Sequence, residues 1–307
     1  MASLQQIQSR RKAVKNVGQI TKAMEVVAAT KMRKSQESAL RTRPYAYKVF
    51  ELIDRMLRYA PMESGLTKIN AGAPVLYVII TSDRGLIGSF NTQVLREADR
   101  IISTDDYVIA VGRKATVYAN KKKLNIVQSF EGFGEFALPE ETTPLTDLIM
   151  KGYLDKKWQK VVVISTHFHT TLKQEVITRE LLPLNLESVR EAVRQIIPEH
   201  GKWAELSGET AKLESAISPL EDHDTYIFEP DPRGVLDSLL PHLVRMEIYD
   251  FILEANASEH SARRVAMKTA SDNASELTDS LTLEYNKARQ AGITREIIEI
   301  TSTQNSL

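Results

Sequence analysis

Apolar residues recur three and four positions apart in two long stretches at the two ends of the chain, and fall into short continuous runs between them. The longer periodic stretch runs from Asp231 to about Thr301, through Leu236, Leu239, Leu243, Met246, Leu253 and Ala257, then Leu277, Leu281, Tyr285 and Ala288. Small and polar residues replace the stripe across Ala262–Ala274. Asp231 can cap a helix, and Pro232 suits its first position, where a missing N–H costs nothing. No proline follows Pro241, and Gly292 is the one glycine beyond it. A helix of about 60 residues is roughly 90 Å long, and a periodic pattern of that length predicts a coiled coil rather than a packed bundle. Such a helix needs a partner.

Residues 3–59 supply one. Their stripe passes through Leu4, Ile7, Val14, Val17, Ile20, Met24 and Val27, then Tyr45, Val49, Leu52, Ile53, Met56 and Leu57, with Ser3 as a cap. Pro44 predicts a bend or a frayed turn, because an interior proline removes a hydrogen bond and crowds the preceding turn. The two arms read as an antiparallel coiled coil whose strands lie far apart in sequence.

Between the arms the periodicity shortens to buried strands alternating with helices. Strands are predicted at Pro74–Ile80, Tyr107–Val111, Ile126–Phe130 and Lys160–Ser165, with shorter ones at Val176–Thr178 and Tyr226–Phe228. Helices are predicted at Asn91–Ile102, Lys114–Lys121 and Leu145–Trp158. Continuous apolar strands in β-α repeats imply a mostly parallel sheet covered on both faces. The expected architecture is a Rossmann-like α/β domain over 74–228, flanked by long helices over 1–60 and 232–302. Residues 186–222 read as a surface excursion, with helical spacing at Glu187–Ile197 and Glu209–Ile217.

Charge sharpens this picture. The 307 residues carry no net charge, so no whole-protein field points to nucleic acid or membrane. Residues 1–58 nevertheless hold 13 Lys and Arg against 4 Asp and Glu, a segregation that a solvated helix face, which gains from mixed signs, does not need. Residues 10–34 contain no aromatic, whereas a nucleic-acid surface interleaves aromatics with its cations. An acidic protein partner fits better. The absence of cysteine excludes disulfides, thiolate zinc sites and thiol nucleophiles. The longest apolar runs, Val75–Ile80 and Val161–Ile164, are strand-sized, well short of the roughly 20 residues that span a bilayer. Any membrane association is expected to go through a partner, without direct insertion.

Candidate chemistry is sparse. The loop Ser82–Ser89 follows the first strand and precedes a helix, where phosphate loops occur. It has two glycines, Gly85 and Gly88, but no G-x-G-x-x-G and no Gly-Lys-Ser/Thr; a structural turn is the plainer reading. His167 and His169 point to one face of a strand, with no third ligand in the nearby sequence. No catalytic residue, cofactor site or metal site is expected. An α/β nucleotide-binding enzyme with helical oligomerisation arms remains the alternative, and a nucleic-acid adaptor a third reading.

Three blocks carry a resemblance. Ile20–Met32 (ITKAMEVVAATKM) resembles the N-terminal signature of the gamma subunit of F-type ATP synthase. Ser82-Asp83-Arg84-Gly85-Leu86, with Gly88 and Asn91, is similar to that family's central motif. Glu259-His260, Ala262-Arg263, Ala266-Met267-Lys268, Asp272-Asn273-Ala274 and Tyr285–Ala291 resemble its C-terminal signature, entered through Glu229-Pro230-Asp231-Pro232. The resemblance implies a non-catalytic rotary shaft within the F1 sector, its coiled coil inside a ring of alpha and beta subunits. Its α/β domain would be bound to the epsilon subunit and the membrane c-ring. It further implies a peripheral place on the cytoplasmic face of a bacterial plasma membrane. Lys22 and Arg33 belong to the basic arm expected to face beta subunits, and Met24, Arg263, Gln290, Thr294 and Glu299 match the family's contact positions. Small residues around Ala262–Ala274 would form a surface that slips past the housing. Ile87 stands where many relatives have Cys, the 186–222 segment is longer than in compact relatives, and the tail Thr301–Leu307 is more polar.

Overall fold

The computed structural model describes residues 4–56, 63–134, 138–185, 228–229 and 231–304. Its elements in chain order are α1 (Leu4–Met56), β1 (Leu76–Ile80), α2 (Phe90–Ile101), β2 (Tyr107–Val111), α3 (Arg113–Lys122), β3 (Asn125–Phe130), α4 (Pro139–Leu154), β4 (Val161–Phe168), β5 (Gln174–Leu182) and the long helix α5 (Pro232–Gln304). The sheet order is β3-β2-β1-β4-β5. β1 pairs parallel with β2 and β4, β2 parallel with β3, and β5 runs antiparallel to β4 as an edge. Fold class and element types follow the sequence reading: a Rossmann-like sheet flanked by long helices.

The differences have physical causes. β5 is nine residues long rather than three, because its alternating polar pattern suits an edge strand and lacks a continuous apolar run. α4 starts at Pro139, with the Glu141 carboxylate accepting the Leu138 N–H at 3.0 Å; the polar first turn hides this start from an apolar-period reading. α1 continues unbroken through Pro44. Ala39 before it and Val49 after it both pack into the core, so the helix is held on either side of the one lost hydrogen bond. The strand expected at Tyr226–Phe228 and the helices expected within 186–222 lie outside the described residues, apart from Phe228.

Both faces of the sheet are covered. Leu76, Val78, Ile80, Ile109, Val111, Val161 and Val163 point to one side, where α4 and the first third of α5 pack with Val49 and Met56 of α1. Tyr77, Ile79, Val108, Ala110, Val162 and Ile164 alternate to the other side, under α2 and α3. Leu236, Leu243 and Leu253 are therefore core residues of the α/β domain, and that part of the apolar stripe serves the sheet as well as the neighbouring helix.

Beyond the sheet, α1 and α5 pack antiparallel. The Arg11 guanidinium lies 5.0 Å from the Tyr285 ring centre, and Gly18 faces Ala274. The α1 seam runs through Ile7, Arg11, Val14, Gly18, Thr21, Glu25, Ala28, Met32 and Ser35, all buried or half-buried. Opposite it, α5 presents Met267, Ser271, Ala274, Thr278, Leu281, Tyr285 and Ala288. Both follow the alternating three-and-four spacing of a left-handed coiled coil. This corrects the expected face. Val17 (53% exposed), Ile20 (60%) and Val27 (53%) point to solvent, while Gly18, Thr21, Glu25 and Ala28 take the seam between the apolar contacts of Ile7, Val14 and Met32. A Cβ on Gly18 would sit 3.2 Å from the Ala274 Cβ, so small residues bring the two backbones together. Thr21 remains satisfied through its hydroxyl, which lies 3.0 Å from the Gly18 carbonyl. Met267 and Ala274 are buried, so part of the 262–274 zone is close helix packing rather than a free surface.

Candidate functional site

The three sequence blocks converge where α5 leaves the sheet. A groove of about 690 Å³ opens there, between Ile20–Lys31 of α1, the loop 83–86, the loop 132–134 and Glu259–Arg263 of α5. Its floor is polar. The Arg263 guanidinium reaches Glu259 Oε1 at 2.6 Å, with side chains only 12% and 8% exposed. The same guanidinium lies 3.2 Å from His260 Nδ1, and His260 Nε2 lies 3.0 Å from the Gly134 carbonyl. A carbonyl can only accept, so the imidazole hydrogen sits on Nε2 and Nδ1 accepts from Arg263. Burial pushes the Glu259 carboxyl above its ordinary range; Arg263 and, more weakly, Lys31 pull against that rise, while Asp83 adds to it.

The groove wall is apolar and exposed. Ile20 and Val27 stand beside Leu86, which is 66% exposed and has φ of 63°. A leucine in the left-handed region is strained, and here the strain presents a bare side chain at the groove mouth. The sequence reading places Ile20 and Val27 in the stripe that packs the coiled coil and Leu86 within a motif; an apolar residue between two loop glycines is the signal for its exposure.

The 82–89 loop is built as a tie, not as a cradle. Asp83 Oδ1 accepts the Arg113 N–H and Oδ2 the Gly132 N–H, both at 3.0 Å. Ser82 Oγ donates to the Arg84 carbonyl at 2.7 Å and accepts from Asn91 Nδ2 at 2.8 Å. An incoming phosphate would meet the Asp83 carboxylate. His167 Nδ1 lies 2.7 Å from Glu254, and His169 Nε2 lies 2.9 Å from Glu175. The Glu254 carboxylate outweighs burial and raises the His167 pKa. Among the described residues no group of three His, Asp or Glu could hold a metal ion, and no helix is long and apolar enough to cross a membrane.

The predicted contact residues fall in separate places. Met24 and Arg263 share the groove. Lys22 and Arg33 are exposed and pair within their own helix, with Glu25 at 2.9 Å and Glu37 at 3.7 Å. Lys22 also joins Arg11, Lys12 and Lys15 along a second groove between α1 and α5. Gln290 and Thr294 lie near the far end of α5, about 40 Å from Arg263 by helix rise; residues 289–298 are all exposed there. Glu299 belongs to the same helix, and its side chain lies outside the described residues.

The family model for ATP synthase matches residues 3–307. The ATP synthase gamma chain of Opitutus terrae is 41% identical over 313 residues, covering 99% of this chain and 98% of the relative. This chain belongs to the ATP synthase gamma-chain family. The gamma chain of Chloroherpeton thalassium is 34% identical, with 100% and 99% covered. Among solved structures, a chain of the Euglena gracilis mitochondrial ATP synthase, in its OSCP/F1/c-ring assembly, aligns with a TM-score of 0.64 at 18% identity, covering 99% of this chain and 94% of that one. A central-stalk and c-ring chain from Tetrahymena thermophila aligns at 0.56 and 22% identity, covering 82% and 99%. These two likenesses speak for the fold, which is that of a gamma chain.

Proposed function

We propose that this gamma chain is the non-catalytic rotary shaft of the F1 sector, coupling ion-driven c-ring rotation to conformational change at beta-subunit sites for ATP synthesis or hydrolysis. The observation that carries this reading is the pairing of a long antiparallel coiled coil with surfaces its own fold leaves uncovered. Val17, Ile20, Val27 and Leu86 are exposed apolar residues, and Arg11, Lys12, Lys15 and Lys22 form a basic groove beside them. Acidic loops of beta subunits suit that groove, and alpha subunits complete the housing. The α/β domain is the part that would meet the epsilon subunit and c-ring. The site of action is the cytoplasmic face of a bacterial plasma membrane, reached through partners. Lys22, Met24, Arg33, Gln290, Thr294 and Glu299 are the proposed contacts. Arg263 stands behind them, since its guanidinium is engaged with Glu259 and His260.

Exposed ion pairs of about 0–1 kcal/mol each are weak enough to break at every step. Lys22→Glu and Arg33→Glu are expected to leave the fold intact, because the two side chains are 63% and 72% exposed. Each is expected to lower ions pumped per ATP by about twofold, in line with the small worth of such a pair. Reconstituted vesicles reporting ATP hydrolysis and ion uptake together provide the check; wild-type ratios in both variants would reduce the basic face to solvation.

A further inference from the structure

We infer that a two-jawed clamp grips α5 where it leaves the α/β domain, and that this clamp, tied by Asp83, is the joint through which the domain turns the shaft. The inference rests on the rotor reading above. One jaw is the β4–β5 hairpin: His167 pairs with Glu254 at 2.7 Å, and Ser261 Oγ donates to the Thr171 carbonyl at 2.8 Å. The other jaw is the loop before the 135–137 segment. There Asn256 Nδ2 donates to the Phe133 carbonyl at 2.6 Å, and His260 Nε2 to the Gly134 carbonyl at 3.0 Å. At 3.6 residues per turn, Glu254 and Ser261 lie within about 20° of each other, while Asn256 and His260 lie about 130° round the helix from them. The jaws therefore hold two different faces.

The bonding type matters as much as the placement. Apolar contacts in the core are non-directional and tolerate small rotations, whereas hydrogen bonds weaken steeply once misaligned. Asn256, Glu259, His260 and Ser261 are all buried and each is bonded through its side chain, as the cost of burying polar groups requires; the Ser258 hydroxyl between them is buried without a partner. The directional bonds stand where the helix emerges from the domain, the place at which torque passes from one body to the other. Asp83 completes the joint by holding Gly132 of the second jaw to Arg113 at the start of α3. The central sequence motif thereby gains a mechanical role.

The test uses the complete complex reconstituted in vesicles, with Asn256→Ala, Ser261→Ala and the double variant. Each single change removes one of a jaw's two bonds, leaves the other jaw intact and keeps ions pumped per ATP within about twofold of wild type; the double change leaves each jaw on a single bond and lowers the ratio about fivefold against an imposed membrane potential, with ATP hydrolysis unchanged, because residues acting as a unit are non-additive. A merely structural role predicts additive losses that ignore the opposing potential. If the double variant does not assemble, Ser261→Ala combined with His260→Ala is compared with Ser261→Ala combined with His260→Gln, since Gln keeps a donor for the Gly134 carbonyl and should restore coupling. A wild-type ratio against the potential in an assembled Asn256→Ala/Ser261→Ala or His260→Ala/Ser261→Ala complex overturns the clamp. A wild-type complex that hydrolyses ATP without pumping would instead count against the rotor reading.

Discussion

Replacing Gly112 by alanine is expected to destabilise the α/β domain by about 3 kcal/mol, the sum of a positive-φ penalty and a steric clash. Gly112 has φ of +89°, and a Cβ there would lie 2.1 Å from the Thr81 carbonyl oxygen. That oxygen belongs to the backbone, so no side-chain rotation can relieve the contact. The position is also a junction: the Gly112 N–H donates to the Phe130 carbonyl at 2.7 Å, and Thr81 Oγ accepts the Ala115 N–H at 2.8 Å. Moving it disturbs β1, β3 and the start of α3 together. Amide hydrogen exchange in β2 and α3 checks this, with protection falling about 100-fold if the loss is of that size. Unchanged protection would show that the turn can relax, contrary to this account.

The second large effect concerns Arg263→Ala. The substitution leaves Glu259 buried without its cation, and breaking a buried pair this way costs about 3 kcal/mol. The loss depends on pH. The Glu259 carboxyl is already raised from its ordinary value of 4.5 by burial, and losing Arg263 raises it further. Between the unfolded and folded values the folded state then holds more protons than the unfolded one, so stability falls as pH rises through that window. Denaturant unfolding should show a larger loss at pH 8 than at pH 5, and adding Glu259→Gln should recover most of it. An equal loss at both pH values would mean that Arg263 acts through packing alone.

Both effects sit at places that the sequence disclosed unevenly. The long helices were legible because their periodicity persists over many turns, and β1, β2 and β4 because each is a continuous apolar run. The face of the coiled coil was not. Val17, Ile20, Met24 and Val27 recur with helical spacing, and so do Gly18, Thr21, Glu25 and Ala28; hydrophobicity favoured the first set. Close packing chose the second, since Gly18 lets the backbone approach Ala274. The outward stripe is available to partners for that reason. The motif blocks singled out Met24 and Arg263, but the groove that holds both is a product of the fold, since the blocks lie far apart in the chain. The role of Asp83 was hidden, because the amides it binds are 30 and 49 residues away and no local pattern reports them. Arg263 looked like a surface contact in one dimension and is turned inward in three.

The rotor reading is tested most directly by watching the chain turn. It has no cysteine, so a single Cys at the exposed position Lys121 on α3 can carry an optical probe without background labelling. In a complex of this chain with alpha and beta subunits fixed to a surface, ATP should drive the probe in unidirectional rotation that stops when ATP is exhausted. A probe that stays still, or merely fluctuates, while the same complexes hydrolyse ATP would contradict the account.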